Sequence, residues 1–106
     1  MLNKNKLNQE NKLALYSPEI ITALLKILRE EVAQTPTDVW TSTWYITKCL
    51  NDKLFSSNDQ NNKRISGVKL GNLLRLLGFE KRRRLRLQTH VLVEQDILRR
   101  YENWVV

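Results

Sequence analysis

Residues 64–93, RISGVKLGNLLRLLGFEKRRRLRLQTHVLV, change their hydrophobic period part-way along. Ser66 is a good N-cap, and Leu70, Leu73, Leu74 and Leu77 then recur at i, i+3, i+4 and i+7, the stripe of an amphipathic helix. Gly78 stands where a glycine ends a helix. Beyond it the period drops to two: Arg84, Leu85, Arg86 and Leu87 alternate, and Val91, Leu92 and Val93 form a β-branched run. This predicts a helix followed by a small antiparallel hairpin, with Gln88, Thr89 and His90 as its turn and a basic outer face. Ile65 is a candidate for a short strand before the helix, and Gly71 for close helix packing.

Working back towards the N-terminus, Ser17 and Pro18 suit an N-cap and a first helical position. Tyr16 and Ile21 are spaced as a hydrophobic staple, and Ile21, Leu24, Leu25, Leu28 and Val32 make the stripe of a helix that should stop near Gln34. Ile20, Ala23 and Ile27 flank that stripe, so this helix is apolar on more than one side. Thr35, Pro36 and Asp38 read as a second helix start, with Val39, Ile46, Leu50 and Leu54 as its stripe and Trp40, Trp44 and Phe55 as core aromatics. Residues 56–62, SSNDQNN, are a loop. Towards the C-terminus, Glu94 and Asp96 open a last helix that Ile97, Leu98, Tyr101 and Trp104 pack onto the core. Residues 1–14, rich in Asn and Lys, read as a mobile polar and basic arm, and 15–106 as one domain. The fold class expected is mainly α with a small β-hairpin, a winged helix-turn-helix outline.

The chain of 106 residues has a net charge of +7, and its imbalance is confined to one stretch. Residues 63–90 hold nine bases and one acid, a net of +8. A charge so confined is the footprint of a nucleic-acid binder. The expected contacts are Lys63, Arg64, Lys69, Asn72, Arg75, Lys81, Arg82, Arg83, Arg84 and Arg86. Guanidinium groups match phosphate oxygens in pairs, so Arg82, Arg83, Arg84 and Arg86 suit the backbone. Lys69, Asn72 and Arg75, on the helix face away from the stripe, are placed for base edges, Asn towards adenine and Arg towards guanine.

Other chemistries lack residues. One histidine, His90, and one cysteine, Cys49, make no closed zinc site and no internal disulfide; Cys49 reads as a small buried hydrophobe and His90 as a turn residue. No glycine-rich phosphate loop, catalytic triad or acidic cluster is present, so neither an enzyme nor a cofactor is expected. No apolar run reaches the roughly 18 residues of a membrane span, and the N-terminal stretch has no secretory apolar run. A reduced, cytoplasmic chain is expected.

The segments RISGVKLGNLLRLLGFEKRRRLR (64–86) and VLVEQDILRRYENW (91–104), with TSTWYITKCLND (41–52) upstream, resemble a module at the C-terminal end of phage- and plasmid-type primase or helicase proteins. In that family a serine, a leucine-rich helix and a Leu-Gly-Ile/Phe element precede an arginine-bearing strand and a short helix with an acid, an apolar residue and a terminal tyrosine. The matching positions are Ser66, Leu70, Leu73, Leu74, Leu77, Gly78 and Phe79, then Arg84 and Arg86, then Asp96, Ile97 and Tyr101. The resemblance implies a winged-helix-like nucleic-acid-binding module serving mobile-element replication or transcriptional control. The family's nucleotide-handling domains have no counterpart here, so primase or helicase activity does not carry over.

Duplex or forked DNA is the expected partner, with RNA a second ligand class if aromatics lie beside the arginines; Phe79 is the one candidate. The alternative is a protein-interaction adaptor whose basic hairpin docks an acidic partner, anchored by Trp40, Trp44 or Leu76. The first helix offers a surface for a homodimer, and a replication or regulatory protein is a further expected associate.

Overall fold

The computed structural model describes residues 16–35, 37–55 and 64–103. In chain order these form α1 (Pro18–Ala33), β1 (Val39–Ser42), α2 (Thr43–Leu54), α3 (Gly67–Leu77), β2 (Arg82–Leu85), β3 (Gln88–Val93) and α4 (Gln95–Arg99). The described residues thus make a small α/β domain with four helices and a three-stranded antiparallel sheet of order β1-β3-β2. The arm, Lys63 and Trp104 lie outside the described residues.

Two helices start and stop where their caps dictate. The Ser17 hydroxyl accepts the Ile20 N–H at 3.2 Å, and the Ser66 hydroxyl accepts the Lys69 N–H at 3.1 Å, each satisfying one donor that the first helical turn leaves unpaired. Gly78 takes φ 111°, a left-handed cap that lets the Phe79 N–H reach the Leu74 carbonyl at 2.9 Å. Phe79 is thereby turned inward and fully buried, so it is no exposed aromatic beside the arginines.

The expected second helix is instead a strand and a shorter helix. Val39–Ser42 pairs with β3, Val39 opposite Val93 and Thr41 opposite Val91, and α2 is capped by the Ser42 hydroxyl, which accepts the Tyr45 N–H. Val39, Trp40 and Thr41 are β-formers, and a partner strand some fifty residues away decides between helix and sheet. Asp38 still acts at a helix start, though not its own: its Oδ1 accepts the Gln95 N–H at 2.9 Å and caps α4, whose own N-cap residue Glu94 makes no such bond.

The hairpin is also displaced from expectation. Gln88, Thr89 and His90 belong to β3, and the turn is Arg86-Leu87, with φ 48° and 69°. Both central residues at positive φ is the pattern of a type I′ turn, whose twist suits a two-residue hairpin.

The core lies between α1, α2, α3 and the inner sheet face. Leu24, Leu25 and Leu28 meet Ile46, Leu50, Leu70, Leu73 and Leu74, closed by Phe79, Val91 and Val93. Ile20, Ala23 and Val32 of α1 pack against this core, as do Tyr16, Cys49 and Phe55, so the helix apolar on several sides uses those sides within the chain. Cys49 is half-buried and Trp44 is exposed, where the sequence suggests burial for both. Ile65 is in no strand; buried, it is held by Asn51, whose amide donates to the Ile65 carbonyl at 2.9 Å and accepts the Ile65 N–H at 2.8 Å. A side chain thus imitates a strand neighbour and fixes the lead-in to α3.

The C-terminal residues close the domain. The Tyr101 hydroxyl donates to the Leu77 carbonyl at the end of α3, while the Tyr101 carbonyl accepts from Arg29 of α1. Burial pushes the Tyr101 phenol above its ordinary value of 10.0. The folded state therefore holds this proton to higher pH than the unfolded chain does. The tyrosine's stabilising effect is complete below pH 10.0 and is lost as pH rises through the folded value. Tyr101→Phe should cost about 1 kcal/mol at neutral pH and should flatten the alkaline fall in stability, measured by urea unfolding across pH 8.5 to 11 or so.

Candidate nucleic-acid interface

A cleft of about 550 Å³ runs between the first turns of α2, the exposed face of α3 and the hairpin. Thr43, Trp44 and Thr47 come from α2; Gly67, Val68, Gly71, Asn72 and Arg75 from α3; Arg82 and Thr89 from the two hairpin strands. The α3 set follows from helical geometry, since residues 68, 72 and 75 fall on one line opposite the leucine stripe. None of these lining residues is an acid. Two guanidinium groups share the cleft, and burial first, then the neighbouring Arg75, hold Arg82 below its ordinary value. Such a site favours an anion.

Strand alternation divides the arginines. Arg82 lies in the row Thr41–Val91–Arg82 on the inner face of the sheet. Arg84 shares that face by alternation, opposite the cleft residue Thr89. Arg83 is on the outer face, its guanidinium 4.3 Å from the centre of the Trp40 ring, a stacking contact. Lys81 is 3.2 Å from Glu94 in an ion pair. The outer face expected to be uniformly basic is therefore only partly so.

Arg82 departs most from its expected role. Its Nη2 donates to the Gly71 carbonyl at 2.8 Å and it is half-buried, so it braces the hairpin against α3. Its Nε is buried without a hydrogen-bond partner. A Cβ at Gly71 would meet only this guanidinium, at 3.6 Å, so the glycine faces the hairpin and no second helix. Near its turn the hairpin is further tied to the end of β1 and the start of α2: the Ser42 hydroxyl donates to Gln88 Oε1 at 3.1 Å and Thr43 Oγ1 donates to the Thr89 carbonyl at 3.2 Å.

Asn72 and Arg75 are exposed in the cleft, Arg84 and Arg86 are exposed on the hairpin outside its lining, and Lys69 is exposed on α3 away from it. Arg64 is half-buried next to Ile65. His90 is half-buried within β3 on the outer face, across from Arg83. As cleft residues the sequence reading misses Thr43, Thr47, Val68 and Thr89, and it names Trp44 only as an anchor for the adaptor alternative. Trp44 is 61% exposed and Val68 78% exposed. Val68 carries a signal in the sequence, because a β-branched residue opposite the leucine stripe of a helix has no core to enter. Trp44 carries none, because its exposure depends on where β1 ends and α2 begins.

Among the described residues, no three His, Cys, Asp or Glu gather as a metal site, and no helix is long and apolar enough to cross a membrane. The chain matches no protein-family model, no curated protein and no solved structure, so the likeness to a primase or helicase module rests on the quoted residues alone.

Proposed function

We propose that the chain is a winged helix-turn-helix DNA-binding protein that acts in mobile-element replication or transcriptional control. The observation that carries this reading is the convergence of α3, the start of α2 and the hairpin on one acid-free cleft bearing Arg75 and Arg82, with Arg84 on the same sheet face. The element order and the strand order β1-β3-β2 agree with a helix-turn-helix followed by a wing. The connection between α2 and α3, residues 55–66, is longer than the usual three- or four-residue turn. Asn51 replaces that tight turn by holding Ile65.

In this mode α3 faces the major groove. Asn72 pairs with adenine and Arg75 with guanine, and Val68 lies against a thymine methyl. Thr43 and Thr47 hydroxyls and Arg84 contact the flanking backbone. Arg75→Ala should cost about 1–3 kcal/mol against the preferred site and relax preference at one base pair. Selection from a random duplex pool with both proteins reads this directly.

The governing test is a fluorescence-anisotropy titration of labelled duplex DNA at several salt concentrations, with single-stranded DNA and RNA of the same sequence as parallel arms. A steep fall of affinity with salt is expected. A flat response, or no binding, would overturn the reading. Stronger binding to the single strands would transfer the site to unpaired bases, with Trp44 as stacking surface. The exposure of Trp44 also favours a second reading, an adaptor for an acidic protein; recovery of such a protein after nuclease treatment, with no affinity for nucleic acid, would select it.

A further inference from the structure

Leu87 is 87% exposed, the most exposed of the large apolar residues described, and it sits at the tip of the hairpin. Its backbone is at φ 69° and that of Arg86 at 48°. Left-handed backbone is costly for a residue with a Cβ, and asparagine or glycine would fill such a turn with less strain. The leucine gains no burial in return. A strained position with no folding benefit points to a use at the tip itself.

The surroundings identify that use. Arg84 and Arg86 are exposed on either side of the half-exposed Leu85, and residues 81–90 contain no acid. This combination of bases and an apolar point is complementary to a polyanion with an apolar interior, namely stacked base pairs. The hairpin is firmly mounted, braced to α3 through Arg82–Gly71 and to the end of β1 and the start of α2 through Ser42–Gln88 and Thr43–Thr89.

Resting on the DNA-binding reading, we infer that Leu87 is an apolar wedge. It enters a base step of duplex DNA from the minor groove while Arg84 and Arg86 hold the adjacent phosphates. Inserting a side chain between base pairs unstacks and untwists the step. The tip therefore deforms its substrate, and flexible steps such as TA are preferred because they unstack most cheaply.

Untwisting is measurable without knowing a target sequence. Closed circular plasmid is relaxed with a topoisomerase in the presence of the protein, then freed of protein and resolved by electrophoresis. The wild-type chain should shift the recovered plasmid to lower linking number in proportion to protein bound. Leu87→Ala should retain plasmid in a filter assay yet give no shift, and Leu87→Met should keep the shift. Leu87→Gly, which relieves the left-handed backbone at that position, should melt at higher temperature than wild type and also give no shift, which separates loss of the wedge from loss of the fold. Binding by the wild type without any change in linking number overturns the wedge and leaves DNA binding standing. A full shift with Leu87→Ala overturns it too, as does a Leu87→Gly variant that melts no higher. Absence of plasmid binding removes both readings together.

Discussion

Asn51→Ala is expected to lower stability by about 3 kcal/mol, because it strands two buried backbone groups at roughly 1–3 kcal/mol each. The asparagine is 8% exposed and spans both polar groups of Ile65, which is itself 6% exposed. Alanine can neither donate nor accept, and a folded domain of this size has only about 5–15 kcal/mol to lose. Urea unfolding should show a lower midpoint with an unchanged slope. Asn51→Asp retains the acceptor for the Ile65 N–H but loses the donor to its carbonyl and introduces a buried charge, so it should fare no better. A loss below about 1 kcal/mol would mean that water replaces the amide at both groups. Since Ile65 leads directly into Ser66, the cap of α3, partial folding of the variant should also misplace Asn72 and Arg75 and weaken nucleic-acid binding beyond the stability loss.

Removing the same charge from the two sides of the hairpin should have unequal effects on binding. Arg84→Ala with Arg86→Ala should reduce the slope of log affinity against log salt by about 1.8, since each phosphate contact contributes about 0.9. Lys81→Ala with Arg83→Ala removes the same two charges, yet Lys81 is paired with Glu94 and Arg83 is stacked on Trp40 on the outer face. That slope should stay close to the wild-type value. Equal slopes for the two double variants would show that net charge alone drives binding and that the face has no part in it. Anisotropy titrations from low to moderate salt with one labelled duplex suffice for the comparison.

The contrast between those variants also marks what the sequence could reveal. The charge block is visible in composition, and its local hosts are fixed by local chemistry. Ser66 and Gly78 delimit α3, and Ser17 with Pro18 starts α1, through hydrogen bonds within a turn or two of the residue concerned. β1 was hidden because Val39–Ser42 becomes a strand only by pairing with Val93, Leu92, Val91 and His90. Thr35, Pro36 and Asp38 gave a convincing helix start, yet Asp38 spends its carboxylate on α4. The sequence points to the wrong turn because Arg86-Leu87 lacks the Asn-Gly signature while Gln88 and Thr89 are polar. Once the turn moves, alternation reassigns every arginine: Arg82 and Arg84 face inward, and Arg83 faces out. The exposure of Trp44 follows from the same correction, since ending the strand at Ser42 rotates the start of α2.

The contact between Arg82 and Gly71 has a mechanical consequence. A charged side chain has been spent as a strut, so the spacing between the hairpin and α3 is held in part by one hydrogen-bonded guanidinium, beside the apolar packing of Val91 and Val93. Lysine at this position would keep the charge but not the planar fork that reaches the carbonyl. The hairpin would then lose its strut against α3, and the spacing between its tip and the α3 face, which on the DNA-binding proposal selects the duplex geometry that fits, would lose its definition.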